Sequence, residues 1–184
     1  MTCPYCGFTQ IGIEFGFISS CSNCTRYFLN EAASKLDSEE RRVLEKFVAN
    51  MNAHAKYKKD EKDIKRLIGV AEKLDWSVDL ITDIRDKSWY IEFEKYSPAG
   101  EDFIFGIEAT TAKDFIDGIK ERYWSYIPDD HVEELVIAKH NGLKDVPPLS
   151  ILVDDSSKID EMLLELKDAL IDEYDKMQEE EGDD

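Results

Sequence analysis

Residues 89–94 read Trp-Tyr-Ile-Glu-Phe-Glu, residues 97–100 Ser-Pro-Ala-Gly and residues 103–108 Phe-Ile-Phe-Gly-Ile-Glu. In the first run Trp89, Ile91 and Phe93 alternate with Tyr90, Glu92 and Glu94. In the last, Phe103, Phe105 and Ile107 alternate with Ile104, Gly106 and Glu108. A period of two sends alternate side chains to opposite faces of a strand. Between the runs, Pro98 presets the backbone for a turn and Gly100 closes it. Upstream, Val78 and Leu80 alternate with Ser77 and Asp79. Together these residues predict a three-stranded antiparallel meander with one apolar face, which helices must cover.

Working outward, residues 112–126 carry Phe115, Ile116, Ile119, Tyr123 and Tyr126 on one side of a predicted helix, which Pro128 stops. A second helix is predicted over residues 130–139, with Val132, Leu135 and Val136. After the breaks at Asn141-Gly142 and Pro147-Pro148, a long helix is predicted from about Ser157, with Ile159, Leu163, Leu166, Leu170, Tyr174 and Met177 as its buried stripe. On the N-terminal side the apolar spacing predicts one helix through Leu36, Val43, Leu44, Phe47, Val48 and Met51, capped by Asp37 or Ser38, and another over residues 61–74. The fold class is therefore α+β. The expected division is a ribbon over residues 1–29, a helical region over 30–75, an acidic α+β domain over 76–178 and a frayed acidic tail over 179–184.

All four cysteines lie in the first 24 residues, as Cys3-Pro-Tyr-Cys6-Gly7 and Cys21-Ser-Asn-Cys24. This C-x2-C-x14-C-x2-C spacing is close to that of four-thiolate zinc sites, in which each short turn brings two sulfurs to a tetrahedral ion. The alternation of Ile11, Ile13, Phe15 and Phe17 with Gly12, Glu14 and Gly16 predicts strand between the pairs. The segment reads as a zinc ribbon holding a structural zinc ion, since four thiolates leave no open coordination position. Met1-Thr2-Cys3-Pro4 has no basic and apolar leader, so the cytoplasm is the expected compartment, where disulfides are disfavoured. No apolar run is long enough to span a bilayer.

The chain has 41 acidic and 23 basic side chains and a net charge of −18. Residues 1–75 hold 12 basic and 11 acidic groups; residues 76–184 hold 11 and 30. Such a field repels nucleic acid and anionic membrane and attracts cationic surfaces. The one cationic cluster, Lys56, Lys58, Lys59, Lys62, Lys65 and Arg66, is interleaved with Asp60, Glu61 and Asp63. No Lys or Arg lies between Cys3 and Cys24, so the ribbon lacks the basic face of a nucleic-acid reader.

Motifs for chemistry are missing. There is no phosphate-cradling glycine loop, no H-E-x-x-H and no G-x-S-x-G, and His54, His131 and His140 are scattered. His131-Val-Glu133 matches half of a zinc-deaminase signature, but no cysteine follows it. A non-enzymatic protein is expected. In the last helix Glu161, Glu165, Asp168, Asp172, Asp175 and Glu179 recur at spacings of three and four, forming one carboxylate stripe with charges about 5–6 Å apart along the axis. That spacing is comparable with the run of phosphates along a nucleic-acid strand. Asp129, Asp130, Glu133 and Glu134 extend the acidic surface.

The segment Trp89-Tyr-Ile-Glu-Phe-Glu-Lys-Tyr-Ser-Pro-Ala-Gly-Glu-Asp-Phe103, with Pro128-Asp-Asp-His131 and the helix through Ile159 and Leu170, resembles uncharacterised small acidic proteins of phages and conjugative elements of Gram-positive bacteria. The resemblance covers about residues 76–170 and leaves the ribbon unmatched. It implies a mobile-element setting, where proteins that block restriction or CRISPR nucleases are common and often act as nucleic-acid mimics. The expected function is an interaction protein that binds a basic, nucleic-acid-binding partner through its carboxylates. The alternative is a zinc-ribbon regulatory module that touches nucleic acid or a transcription component directly, using the ribbon and the Lys56 to Arg66 cluster.

Overall fold

A computed structural model describes residues 2–9, 11–83, 85–97, 100, 102–126, 136–144, 146 and 148–182, with the backbone alone at 11–13, 15 and 182. The chain forms two compact units, residues 1–59 and 60–183.

The first unit begins with a three-stranded antiparallel sheet in the order β1 (Ile11–Phe15), β2 (Ile18–Cys21), β3 (Tyr27–Leu29). The segment between the cysteine pairs folds back as a hairpin, as expected, but the strand that the alternation carries through Phe17 ends at Phe15. Gly16, at φ +55°, supplies the left-handed residue that reverses the chain. Asn30 then caps a short 3-10 helix (Glu31–Lys35), its side-chain oxygen accepting from the Ala32 amide.

α1 (Ser38–Lys73) is one continuous helix where the apolar spacing had indicated two. No glycine or proline falls between Ser38 and Ile68, and Ala53, Ala55 and the lysines around them are good helix formers, so the polar middle has no reason to break. Asp37 is the cap: Oδ1 accepts from the Glu39 and Glu40 amides, while Glu40 Oε2 accepts from the Asp37 amide. In this unit α1 meets the ribbon along the face bearing Val48, which is buried, and Asn52, whose amide group bonds the Tyr27 N–H at 2.8 Å and C=O at 2.9 Å. Val43 and Phe47, two of the apolar residues whose spacing predicts this helix, are exposed at 58% and 52%.

α1 ends without a glycine. Asp75 takes the left-handed conformation at φ +62°, and the Trp76 amide reaches back to the Ala71 carbonyl at 3.2 Å. Lys95 Nζ donates to the Leu74 carbonyl at 2.7 Å and so occupies one of the orphan acceptors of that helix end.

The meander has the predicted strands and order: β4 (Ser77–Asp83), β5 (Ser88–Tyr96) and β6 (Asp102–Ala109). Val78 pairs with Phe93 and Phe93 with Phe105; Leu80 pairs with Ile91 and Ile91 with Ile107. The apolar residues thus share one face, and Trp89, Ile91, Phe93, Phe105 and Ile107 are buried there. Trp76 meets Phe93 and Phe105 edge-on, and Phe93 stacks on Phe105 at 4.9 Å and on Phe115 at 6.0 Å. The turn closes through a 2.8 Å bond from the Gly100 amide to the Ser97 carbonyl.

α2 (Ala112–Ser125) follows, capped by Thr111, whose side chain accepts from the Asp114 amide. It packs on β6 through Phe115, Ile116 and Ile119, and Gly118 permits the approach: a Cβ there would lie 2.6 Å from Ile107 Cγ2. Of the helix predicted over 130–139, residues 136–140 are helical, and its earlier part lies outside the described residues.

α3 (Leu149–Gly182) starts eight residues before Ser157 and runs through most of the stretch expected to fray. Its first turn follows Pro148, whose carbonyl accepts from the Ile151 and Leu152 amides, and Leu152 is buried, so the apolar stripe begins a full two turns earlier than the spacing had suggested. Near its far end Glu180 pairs with Arg66 of α1, which holds the last turns in helical geometry. The buried stripe itself, Ile159, Leu163, Leu166, Leu170 and Met177, is as predicted. No helix among the described residues is long and apolar enough to cross a membrane.

Candidate metal centre and acidic surface

The two C-x2-C turns are built alike. In the first, the Cys3 amide donates to the Phe8 carbonyl at 2.8 Å and the Gly7 amide to the Cys3 carbonyl at 3.0 Å; in the second, the Cys21 amide donates to the Arg26 carbonyl and the Thr25 amide to the Cys21 carbonyl, both at 3.0 Å. Each turn needs a left-handed residue straight after its second cysteine. Gly7 takes it at φ +75° without strain, whereas Thr25 takes it at φ +56° against the crowding of a branched Cβ. In both turns a backbone amide also points at sulfur, Tyr5 N–H to Cys3 Sγ and Cys24 N–H to Cys21 Sγ, each 3.4 Å.

The hairpin brings the turns together. The four Sγ atoms lie within 4.8 Å of one another, with Cys3 and Cys24 at 3.7 Å and Cys6 and Cys21 at 3.6 Å. A tetrahedron with metal–sulfur bonds of about 2.3 Å has edges of about 3.8 Å, whereas a disulfide needs about 2.05 Å. All four cysteines are free. Cys3 and Cys21 are buried with Phe28, so the sulfurs are part of this unit's small core.

Their electrostatics differ. The Phe8 amide lowers the Cys6 thiol to about 7, whereas burial pushes the Cys24 thiol up to about 12. Four thiolates this close repel each other, and a divalent cation at their centre removes that penalty. By spacing, geometry and donor chemistry alike, Cys3, Cys6, Cys21 and Cys24 are placed so that they could hold a metal ion.

The carboxylate stripe of α3 lies on the side opposite its buried stripe. At about 100° per residue, Glu161, Glu165, Asp168, Asp172, Asp175 and Glu179 fall within an arc of about 80°, and Leu163, Leu166 and Leu170 point the other way. All six acids are exposed. Asp168 pairs with Lys167 at 3.2 Å, and among the described residues the other five make no ion pair. Lys167 is itself turned aside, its ammonium 4.3 Å from the centre of the Tyr123 ring and its side chain 14% exposed. Asp129, Asp130, Glu133 and Glu134 lie outside the described residues.

The spacing of charges along the chain had not revealed a clamp at one edge of α3. Arg66 donates through Nε to Glu173 and through Nη1 and Nη2 to Glu180, at 2.8 and 3.2 Å for the latter. The bidentate Glu180 holds the guanidinium charged, and Arg66 in turn lowers the Glu180 carboxyl. Lys65 pairs with Glu61 at 2.8 Å. Two members of the cationic cluster thus face carboxylates of the same unit: Lys65 pairs locally, four residues from Glu61, whereas the partners of Arg66 lie more than a hundred positions away and are legible only from the fold.

The chain matches no protein-family model, and no curated protein and no solved structure is detectably similar to it.

Proposed function

We propose that this protein is a non-enzymatic interaction protein whose acidic unit occupies the phosphate-binding groove of a basic, nucleic-acid-binding protein, with a structural zinc ion stapling its N-terminus. The observation that carries this is the outward stripe of α3: six exposed carboxylates in line over roughly 27 Å of helix, five of them without an ion pair among the described residues. Solubility asks far less of a small domain, a net charge of magnitude about 2–8. The resemblance to proteins of mobile elements makes a restriction or CRISPR nuclease in the cytoplasm the proposed class of partner. Zinc is the proposed metal because four thiolates at tetrahedral spacing suit it and leave no position for catalysis.

Such a contact is steered by charge, so association is fast at low salt and slows as salt rises. Reversing Glu165, Asp168 and Asp172 to Lys is expected to slow association roughly tenfold or more. Stopped-flow or surface-capture kinetics with the isolated partner read this directly, and an unchanged rate rejects the stripe as the contact.

A further inference from the structure

The sheet of the second unit has an outer face as unusual as the helix stripe. By register, the residues opposite the core face include six carboxylates, Asp79, Asp83, Glu92, Glu94, Asp102 and Glu108, and no lysine or arginine. Lys95, the one cation in these strands, sits over Trp76 on the other side. Asp79 stands directly opposite Glu92, a like-charge pair that weakens a sheet in isolation. Among the carboxylates are exposed apolar and aromatic groups: Ile81 is 60% exposed, Tyr96 69% and Ile104 49%.

The centre of this face is preorganised. The Tyr90 ring lies across Gly106 of the neighbouring strand, so close that a Cβ at 106 would collide with it. Tyr90 Oη donates to Glu92 Oε2 at 3.2 Å, and Tyr90 stands opposite Glu108. Burial, together with those two carboxylates, raises its hydroxyl pKa and keeps it a neutral phenol. A fixed aromatic plate bordered by carboxylates complements a guanidinium, which stacks on the ring and bonds the acid in its plane. Alternate residues along a strand are about 6.7 Å apart, the repeat at which an extended segment presents every second side chain to Glu92 and Glu94.

We propose that the outer face of β4–β6 is a second docking surface, which takes an extended, arginine-rich segment of a partner protein, its cations resting on Tyr90 and Tyr96 and paired with Glu92, Glu94 and Glu108. This shares with the proposed function a basic protein partner, but it does not depend on the helix stripe. α2 packs against both β6 and α3, and the stripe is a separate surface of the unit.

The test uses the full chain and a synthetic peptide alternating arginine and valine, with a citrulline-for-arginine peptide as the uncharged control, followed by calorimetry. The arginine peptide is expected to bind and the citrulline peptide not. Glu92→Gln with Glu94→Gln should weaken binding about tenfold. Tyr96→Ala, which removes an exposed ring and leaves the core alone, should weaken it roughly threefold. Glu165→Gln with Asp172→Gln, an equal change of charge on the helix, should leave it unchanged. Equal weakening by the two paired variants, or no binding by the unmodified chain, overturns the proposal. Failure of the helix-stripe kinetics leaves these outcomes untouched, so the two surfaces stand or fall separately.

Discussion

The two units solve the problem of staying folded by different means. Residues 60–183 bury a continuous aromatic and aliphatic core, with Phe93, Ile91, Phe115, Ile159 and Leu170 at 0% exposure. Among the described side chains of residues 1–59, the buried apolar ones are Cys3, Cys21 and Phe28 in the ribbon, with Ile18, Ala33 and Val48. A segment that small cannot offset its chain entropy by apolar burial alone and needs a staple. Charge divides the same way: residues 1–59 hold 8 basic and 6 acidic side chains, residues 60–183 hold 15 and 34. The larger core of the second unit is what lets it tolerate a surface so rich in one sign, since self-repulsion opposes compactness.

The sharpest way to break this contrast is to remove the proposed zinc ion. Chelation, or Cys21→Ser, is expected to unfold the ribbon outright, because in such sites the binding free energy is folding free energy, about 10–16 kcal/mol at neutral pH. In an amide-resolved NMR spectrum the signals of residues 3–29 should collapse to unfolded positions while those of β4–β6 persist. Persistence of both sets would mean that the thiols hold no stabilising ion.

Next in size is Phe93→Ala, which deletes a ring stacked between Phe105 and Phe115. It should cost about 3–5 kcal/mol in denaturant unfolding of the second unit. Metal affinity of the first unit, measured by competition with a coloured chelator, should be unchanged.

A smaller effect sharpens the comparison between the two cysteine turns. Thr25→Gly relieves the branched residue at φ +56° and makes the second turn like the first. Metal-loaded stability should rise by about 1 kcal/mol, read as a higher melting temperature of the ribbon signals.

The smallest effect concerns acid. Arg66 holds the Glu180 carboxyl below its ordinary 4.5, so the contribution of that pair is complete above 4.5 and is lost as the pH falls through the lower folded value. Melting temperature plotted against pH should therefore fall less steeply below about 4.5 in Glu180→Gln than in the unmodified chain.

Local periodicity carried the meander, because a half-buried strand writes its faces in alternate residues, and Trp89 to Ile107 does so without interruption. The cysteine cluster was equally legible, since the C-x2-C spacing is local and does not depend on distant packing. Continuity was harder to see. α1 has a polar middle that reads as a gap, yet a helix needs only the absence of breakers to continue through it. The start of α3 was hidden for a related reason: Leu149, Ile151 and Val153 are exposed, and the buried side is marked by Leu152 together with the polar Asp155 and Ser156. The end of α1 lacked its usual glycine, with Asp75 in its place. Gly118 and Gly106 carry no signal of their own, because what they make room for, Ile107 and Tyr90, comes from other elements. The open sheet face went unnoticed because its carboxylates are strung over three strands, with no spacing along the chain to reveal them.

The central claim is that carboxylates of the second unit stand where a partner's nucleic acid would. The most direct measurement takes the partner captured by the full chain from the natural host and asks whether duplex or single-stranded nucleic acid competes for it. The account predicts mutually exclusive binding, with Glu165, Asp168 and Asp172 reversed to Lys losing the partner. A ternary complex of this protein, its partner and nucleic acid would contradict it.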